Sequence, residues 1–252
     1  MRTRGCAQPA VAGGAAAADH AARVRPHPTG ARLRRDLSLS RQRGHVPPVK
    51  LAARCLAAAA AVATYISLVR PRQLTWGATG EEVSRPLPGD DLVRRPTFNA
   101  TRAISIEAPP ETVWPWLVQV GTTRAGWYSY DLLDNLGHPS ARRILPEYQG
   151  LAAGDVVPMS PDGTQGLAVH SLDPPHWMIW GTPGDTSWLW QLDPGPNGTT
   201  RLITRIRSRI RPTPMSVAFA VLIELADFWM IRKMMLNLRQ RAEAAPSPAN
   251  HA

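Results

Sequence analysis

The chain has 252 residues and a formal net charge of +10, which invites a nucleic-acid reading until the charge is located. Residues 1–50 hold ten Lys/Arg against Asp19 and Asp36, residues 51–75 add Arg54, Arg70 and Arg72, and residues 76–252 are nearly balanced. The folded part therefore lacks the clustered positive charge that phosphate binding requires, and no nucleic-acid partner is expected. Two cysteines, Cys6 and Cys55, are too few for a disulfide framework or a thiolate zinc site.

Residues 1–50 are rich in Ala, Arg, Gly and Pro and read as a disordered basic tail. An alternative is that translation begins near Val46 and that the preceding bias comes from an unselected frame. Residues 51–70 follow as a transmembrane or signal-like helix, with no charge from 55 to 69 and Arg54 and Arg70 at its edges. The denser Lys/Arg before it points to an N-terminus on the inner side, unless the chain starts at Val46. A soluble Ala-rich helix is the third reading. The expected location is the cell membrane, single-pass, or otherwise the cytoplasm. Residues 71–96, punctuated by Pro and Gly, are expected to form a linker.

The domain is expected to span 97–243, with a disordered tail at 244–252. Alternation of Phe98, Ala100, Ile104 and Ile106 predicts a first strand, broken by Arg102. "APPETVWPWLVQVG" predicts a short helix with Pro110 at its start and Gly121 at its stop, and "YDLLDNLG" a second one ending at Gly137. Strands follow at Leu167–Leu172, Trp177–Trp180, Ser187–Leu192 and Thr199–Ile210, with "DPGPNG" as the last turn. Residues 215–242 contain no Pro or Gly and predict one long helix. Asp227 near its middle costs about 2.5–3.5 kcal/mol of insertion free energy, which argues against a second membrane span. The helix should instead lie across the sheet, with Met230, Met234 and Met235 as adaptable filler. Segregated strands and helices argue α+β with an antiparallel sheet. A sheet bent around the long helix would leave a space between them.

"RLITRIRSRIR" is the clearest two-residue repeat. Its arginines are expected on a solvated outer face, the alternative being contact with anionic lipid. Its inner face carries Leu202, Thr204, Ile206, Ser208 and Ile210, beside Trp188, Trp190 and Leu192 of the neighbouring strand. Small hydroxyls beside tryptophans suit a partly polar cavity wall.

The blocks "PPETVWPWLVQVG", "RAGWYSYDLLDNLG", "ILPEYQGLAAGDVVP" and "DFWMIRKMMLNLRQRAE", with the lead-in "WGATGEEVSRPLPGDDLV", resemble actinobacterial members of the SRPBCC superfamily. These START-like proteins are also called polyketide cyclase/dehydrase-like. The resemblance covers roughly 74–243 and implies a helix-grip fold, a curved antiparallel sheet wrapped around a long C-terminal helix with an internal cavity. It implies that "RAGWYSYD" and the following helix lie near the cavity mouth. Trp127, Tyr128 and Tyr130 would then form rim or wall, Gly126 a tight approach, and Asp131 a helix cap. Arg124 would pair with Asp131 or with a ligand acid. Trp116, Trp180, Trp188, Trp190, Thr204, Ile206 and Ser208 complete the expected lining.

The sequence offers no HExxH, no Gly-x-Ser-x-Gly elbow and no P-loop. No metal and no cofactor are expected. The candidate acid/base group is His170, with Tyr130 or Asp131 opposite, and it requires those side chains to converge inside the cavity. Three functions remain open: binding of a hydrophobic small molecule or lipid, a cyclase/dehydratase-type enzyme, and an interaction scaffold with a filled core.

Overall fold

The computed structural model describes residues 48–209 and 214–245, with side chains for 52–209 and 224–245. Most of the expected tails, 1–47 and 246–252, and Ile210 lie outside the described residues. The first helix, α1 (Pro48–Thr64), runs through a π-helical turn at Tyr65–Val69 into α2 (Arg70–Leu74). Within it Ala52–Leu74, 23 residues, is long and apolar enough to cross a membrane. At 1.5 Å per residue it reaches about 35 Å, more than a bilayer's apolar core.

Six strands follow: β1 (Phe98–Ile106), β2 (Val156–Pro158), β3 (Gly166–Asp173), β4 (Trp177–Thr182), β5 (Thr186–Pro194) and β6 (Thr200–Ser208). They form one curved antiparallel sheet in the order β1-β6-β5-β4-β3-β2. β1 closes on β6 from Phe98↔Ser208 to Ile106↔Thr200, so first and last strands are neighbours. Two short helices, α4 (Pro110–Val118) and α5 (Asp131–Asp134), precede β2, and the chain ends in α6 (Pro214–Glu243). The protein is thus α+β, a sheet gripping a long helix. The sequence had not suggested β2, whose three residues are too few to show a period, nor the short helix Gly80–Ser84 inside the expected linker.

The two-residue repeat sorts the sheet's faces. Ile104, Leu202, Ile206, Trp188, Trp190 and Trp180 form one core with Ile231, Met234, Met235, Leu238 and Ala242 of α6. On α6 these buried positions recur every three or four residues, which fixes one stripe of the helix to the concave face. Met234 and Met235 do fill that core.

The convex face corrects the sequence reading of the arginines. Arg201, Arg205 and Arg207 are covered, because residues 76–93, in the stretch expected to be a linker, lie along this face; Arg209 is exposed as expected, and Arg211 lies outside the described residues. Arg205 is buried and donates to Thr101 Oγ1 (2.9 Å), Asp90 Oδ2 (2.7 Å) and the carbonyls of Arg85, Glu82 and Val83. Arg201 Nε donates to Glu82 Oε1 at 2.7 Å, and Arg207 Nε to the Val93 carbonyl at 3.1 Å. Glu82 also closes the capping box of α3 (Gly80–Ser84) with Thr79. Beneath this strap Leu87, Ala103, Ile179, Leu189 and Ile203 make a second, smaller core. Gly77 permits the close approach: its φ is +71°, and a Cβ there would overlap the Ala103 carbonyl oxygen.

Candidate functional site

The loop after α4 is folded by a tight exchange between Gly121 and Gly126, whose backbones form an isolated antiparallel bridge. Gly126 has φ +81°, and a Cβ there would sit 2.7 Å from Ser140 Oγ, so the tight approach foreseen for it is real. Ser140 is the centre of a polar knot. Its hydroxyl donates to Asp131 Oδ1 at 2.6 Å and accepts from the Tyr128 amide at 3.1 Å. Asn135 donates to Asp131 Oδ1 at 2.8 Å and accepts from the Trp127 amide at 3.1 Å.

Asp131 therefore ties the loop together and does not cap α5, contrary to expectation. Burial pushes its carboxyl up, but the bonds from Ser140 and Asn135 outweigh this and hold it below the usual range. Nor does Arg124 pair with Asp131. Its Nη2 donates to the carbonyls of Val118 (2.9 Å) and Tyr148 (3.0 Å), with the guanidinium 5.0 Å from the Tyr148 ring centre. That is a structural brace.

Tyr128 is fully buried beneath the guanidinium of Arg241, edge-on to Trp116, and its hydroxyl accepts from Gln119 Nε2 at 2.7 Å. Burial pushes its phenol up to about 12, so it stays protonated. Tyr130 is half-exposed, with Lys233 Nζ 4.0 Å above its ring. Neither Trp116, Tyr128 nor Tyr130 lines the cleft described below.

The expected Trp/Thr/Ser cavity wall is instead closed by packing of indole on indole. Trp127 stacks on Trp188 with centroids 6.0 Å apart and planes 3° from parallel. Trp180 and Trp190 lie 5.3 and 5.4 Å from Trp188. Trp188 Nε1 donates to Thr204 Oγ1 at 2.9 Å, and the Thr204 hydroxyl in turn donates to the Leu189 carbonyl at 2.9 Å. Thr204 therefore serves the sheet, Ile206 is core, and Ser208 sits at the strand end 3.3 Å from Thr186 Oγ1.

What stays open is a cleft of about 360 Å³ between α6 and the Trp127–Asp134 segment. Trp127 and Trp188 form its floor; Leu133, Met159, Met230, Ile231 and Met234 form its apolar walls. Leu132, Leu133, Met159 and Trp229 are exposed, and of these Leu133 and Met159 belong to the cleft itself. Its polar groups are Ser129, Asp134 and Asp227. Burial pushes the carboxyls of both acids up. For Asp227 this is opposed by Arg102, a buried arginine whose Nη1 lies 2.8 Å from Asp227 Oδ2. Arg102 Nε also holds the Gln73 carbonyl at 3.0 Å, and Arg70 pairs with Glu224 one turn earlier on α6. The end of the apolar N-terminal helix is thus clasped beside the cleft.

Of the residues chosen from sequence, Trp127 and Trp188 meet at this cleft. Ser129, Asp134, Asp227 and Met230 were not foreseen as a group; the only sequence signal was the adjacent pair Leu132–Leu133, unusual on so short a helix. His170 is exposed on β3, with Nδ1 3.0 Å from Ser171 Oγ, and does not converge with Tyr130 or Asp131 in the cleft. Among the described residues no group of three or more His, Cys, Asp or Glu could hold a metal ion.

No family model and no curated protein matches the chain. Solved structures do resemble it. A protein described as polyketide cyc-like from Corynebacterium glutamicum is 17% identical, covering 61% of this chain and 96% of its own, with a TM-score of 0.38. A protein from Bacillus halodurans is 16% identical over 59% of this chain and 99% of its own, TM-score 0.39. One from Mesorhizobium loti is 15% identical over 59% and 99%, TM-score 0.36.

Proposed function

We propose that the chain is a membrane-tethered domain that binds a hydrophobic small molecule or lipid in the cleft beneath α6. The observation that carries this reading is the cleft itself: apolar walls, two tryptophans as floor, and a volume at the small end of the ~300–1,000 Å³ range of small-molecule sites. That size suits one small molecule or a single chain of a lipid. The exposed Leu133 and Met159 of its wall support it, since apolar side chains left open at a concave site mark ligand or membrane contact. Tethering is supported by Ala52–Leu74, whose end is clasped to α6 through Arg70–Glu224. Ligand entry would then occur close to the bilayer.

The scaffold reading draws support from the stacked tryptophans, which fill most of the concave face. The cyclase/dehydratase reading finds no support at His170, Tyr130 and Asp131, none of which lines the cleft.

The test is lipid mass spectrometry of an organic extract from full-length protein isolated in native membrane discs. One stoichiometric apolar species is expected, lost in Met230→Trp, where the indole occupies the cleft. An extract matching empty discs for both proteins would favour the scaffold.

A further inference from the structure

Among the described residues, two polar atoms at the cleft lack a partner in hydrogen-bond geometry. Ser129 is buried, and its Oγ makes no hydrogen bond; Asp134 Oδ1 is likewise buried without one. The other oxygen of Asp134 is used, accepting from the Tyr130 amide at 3.2 Å. The Ser129 hydroxyl is near enough to act on the Asp134 carboxyl as a hydrogen-bond donor and lower it, but the two do not meet in bonding geometry. An orphaned acceptor and an orphaned hydroxyl beside an apolar wall cost roughly 1–3 kcal/mol each unless something enters to satisfy them.

Charge narrows what enters. An acidic head would meet two carboxylates, Asp134 and Asp227. A cationic head would meet Lys233, which already acts on Asp134, and Arg102, which already pairs with Asp227. Burial favours the neutral form of Asp134, which further weakens its hold on a cation. A neutral hydroxyl fits both atoms at once, because it donates and accepts in the same place.

We infer that the ligand of this cleft is a neutral amphiphile with a hydroxyl head, donating to Asp134 Oδ1 and accepting from Ser129 Oγ, its hydrocarbon lying against Trp127, Met230 and Ile231. This rests on the hydrophobic-ligand reading above and adds the head group.

A twelve-carbon series separates the two claims: dodecane, 1-dodecanol, dodecanoate and dodecylamine, titrated against the full chain in lipid nanodiscs. Tryptophan fluorescence reports occupancy, with protein-free discs correcting for partition. Dodecanol is expected to bind about tenfold tighter than dodecane. Ser129→Ala and Asp134→Asn should each remove most of that advantage, with circular dichroism showing that the variants are folded. If dodecane and dodecanol bind equally, or if dodecanoate or dodecylamine binds tightest, the hydroxyl assignment is wrong while the cleft reading stands. If no member of the series binds, the cleft reading fails with it.

Discussion

The two faces of the sheet bury side chains of opposite character by opposite means. On the concave face, indoles stack and methionines fill around them, and the cleft acids are pushed up by burial. On the convex face, three arginines are covered by a strap of 76–93 that answers each with a carboxylate or a backbone carbonyl. The difference teaches that a regular row of charge on a strand describes a face without describing its partner. It also separates roles. The arginine row of the convex face is answered by the strap and reads as support, whereas Ser129 and Asp134 leave polar atoms unpartnered beside an open cleft, where a ligand has something to gain.

The sharpest way to break this contrast is Arg205→Ala. If the convex row were ordinary solvated surface, the change would fall within about 0.5 kcal/mol. Because Arg205 is buried and joins Asp90 to Thr101 and three carbonyls, the expected loss is about 3–5 kcal/mol, a fall in Tm on the order of 10 °C. Thermal unfolding followed by circular dichroism decides between them.

A smaller effect is expected from Gly77→Ala, about 2 kcal/mol. The new methyl meets the Ala103 carbonyl in a left-handed backbone position, so the strap must lift from β1. Urea unfolding gives the cost, and limited proteolysis should show cleavage within 76–93 that the parent resists. Equal protease resistance would mean that the strap is held mainly by its arginine contacts.

The smallest effect concerns pH and has opposite signs on the two faces. The hydrogen bond from Arg201 is the main cause holding the Glu82 carboxyl below its usual range. Its contribution is therefore present above the unfolded value, near pH 4, and lost as pH falls through the folded one. The Tm gap between the parent and Glu82→Gln should shrink on acidification. Burial raises Asp134, so the stability linked to its proton is full below the unfolded value and lost as pH rises through the folded one. Asp134→Asn should therefore gain on the parent as pH rises. Gaps that move in the same direction would sink the contrast.

Much of the fold was legible because it rests on local period. β1 was read with its final boundaries, the alternation of β6 sorted Leu202, Thr204 and Ile206 to the helix side, and the uninterrupted run 215–242 gave α6. The candidate site was less legible. Trp127 and Trp188 stood out by size, but their contact joins residues 61 positions apart, and it closes the space that the sequence suggested would stay open. Asp131 and Asp134 look alike on one short helix. Only Asn135 and Ser140, folded back against Asp131, make it a knot and leave Asp134 at the cleft.

By itself, then, the sequence determined the class of the protein: the net positive charge carried by the first 75 residues, the uncharged helix, the alternating strands and the long terminal helix. These follow from hydrophobic period and composition, which act between near neighbours. The tertiary structure decided which charges are buried and which pocket survives. Arg205 and Asp90 lie 115 positions apart, and Asp227 and Arg102 lie 125 apart. Such pairs are chosen by packing across the sheet, where the desolvation of each charge must be met by whatever the fold brings beside it.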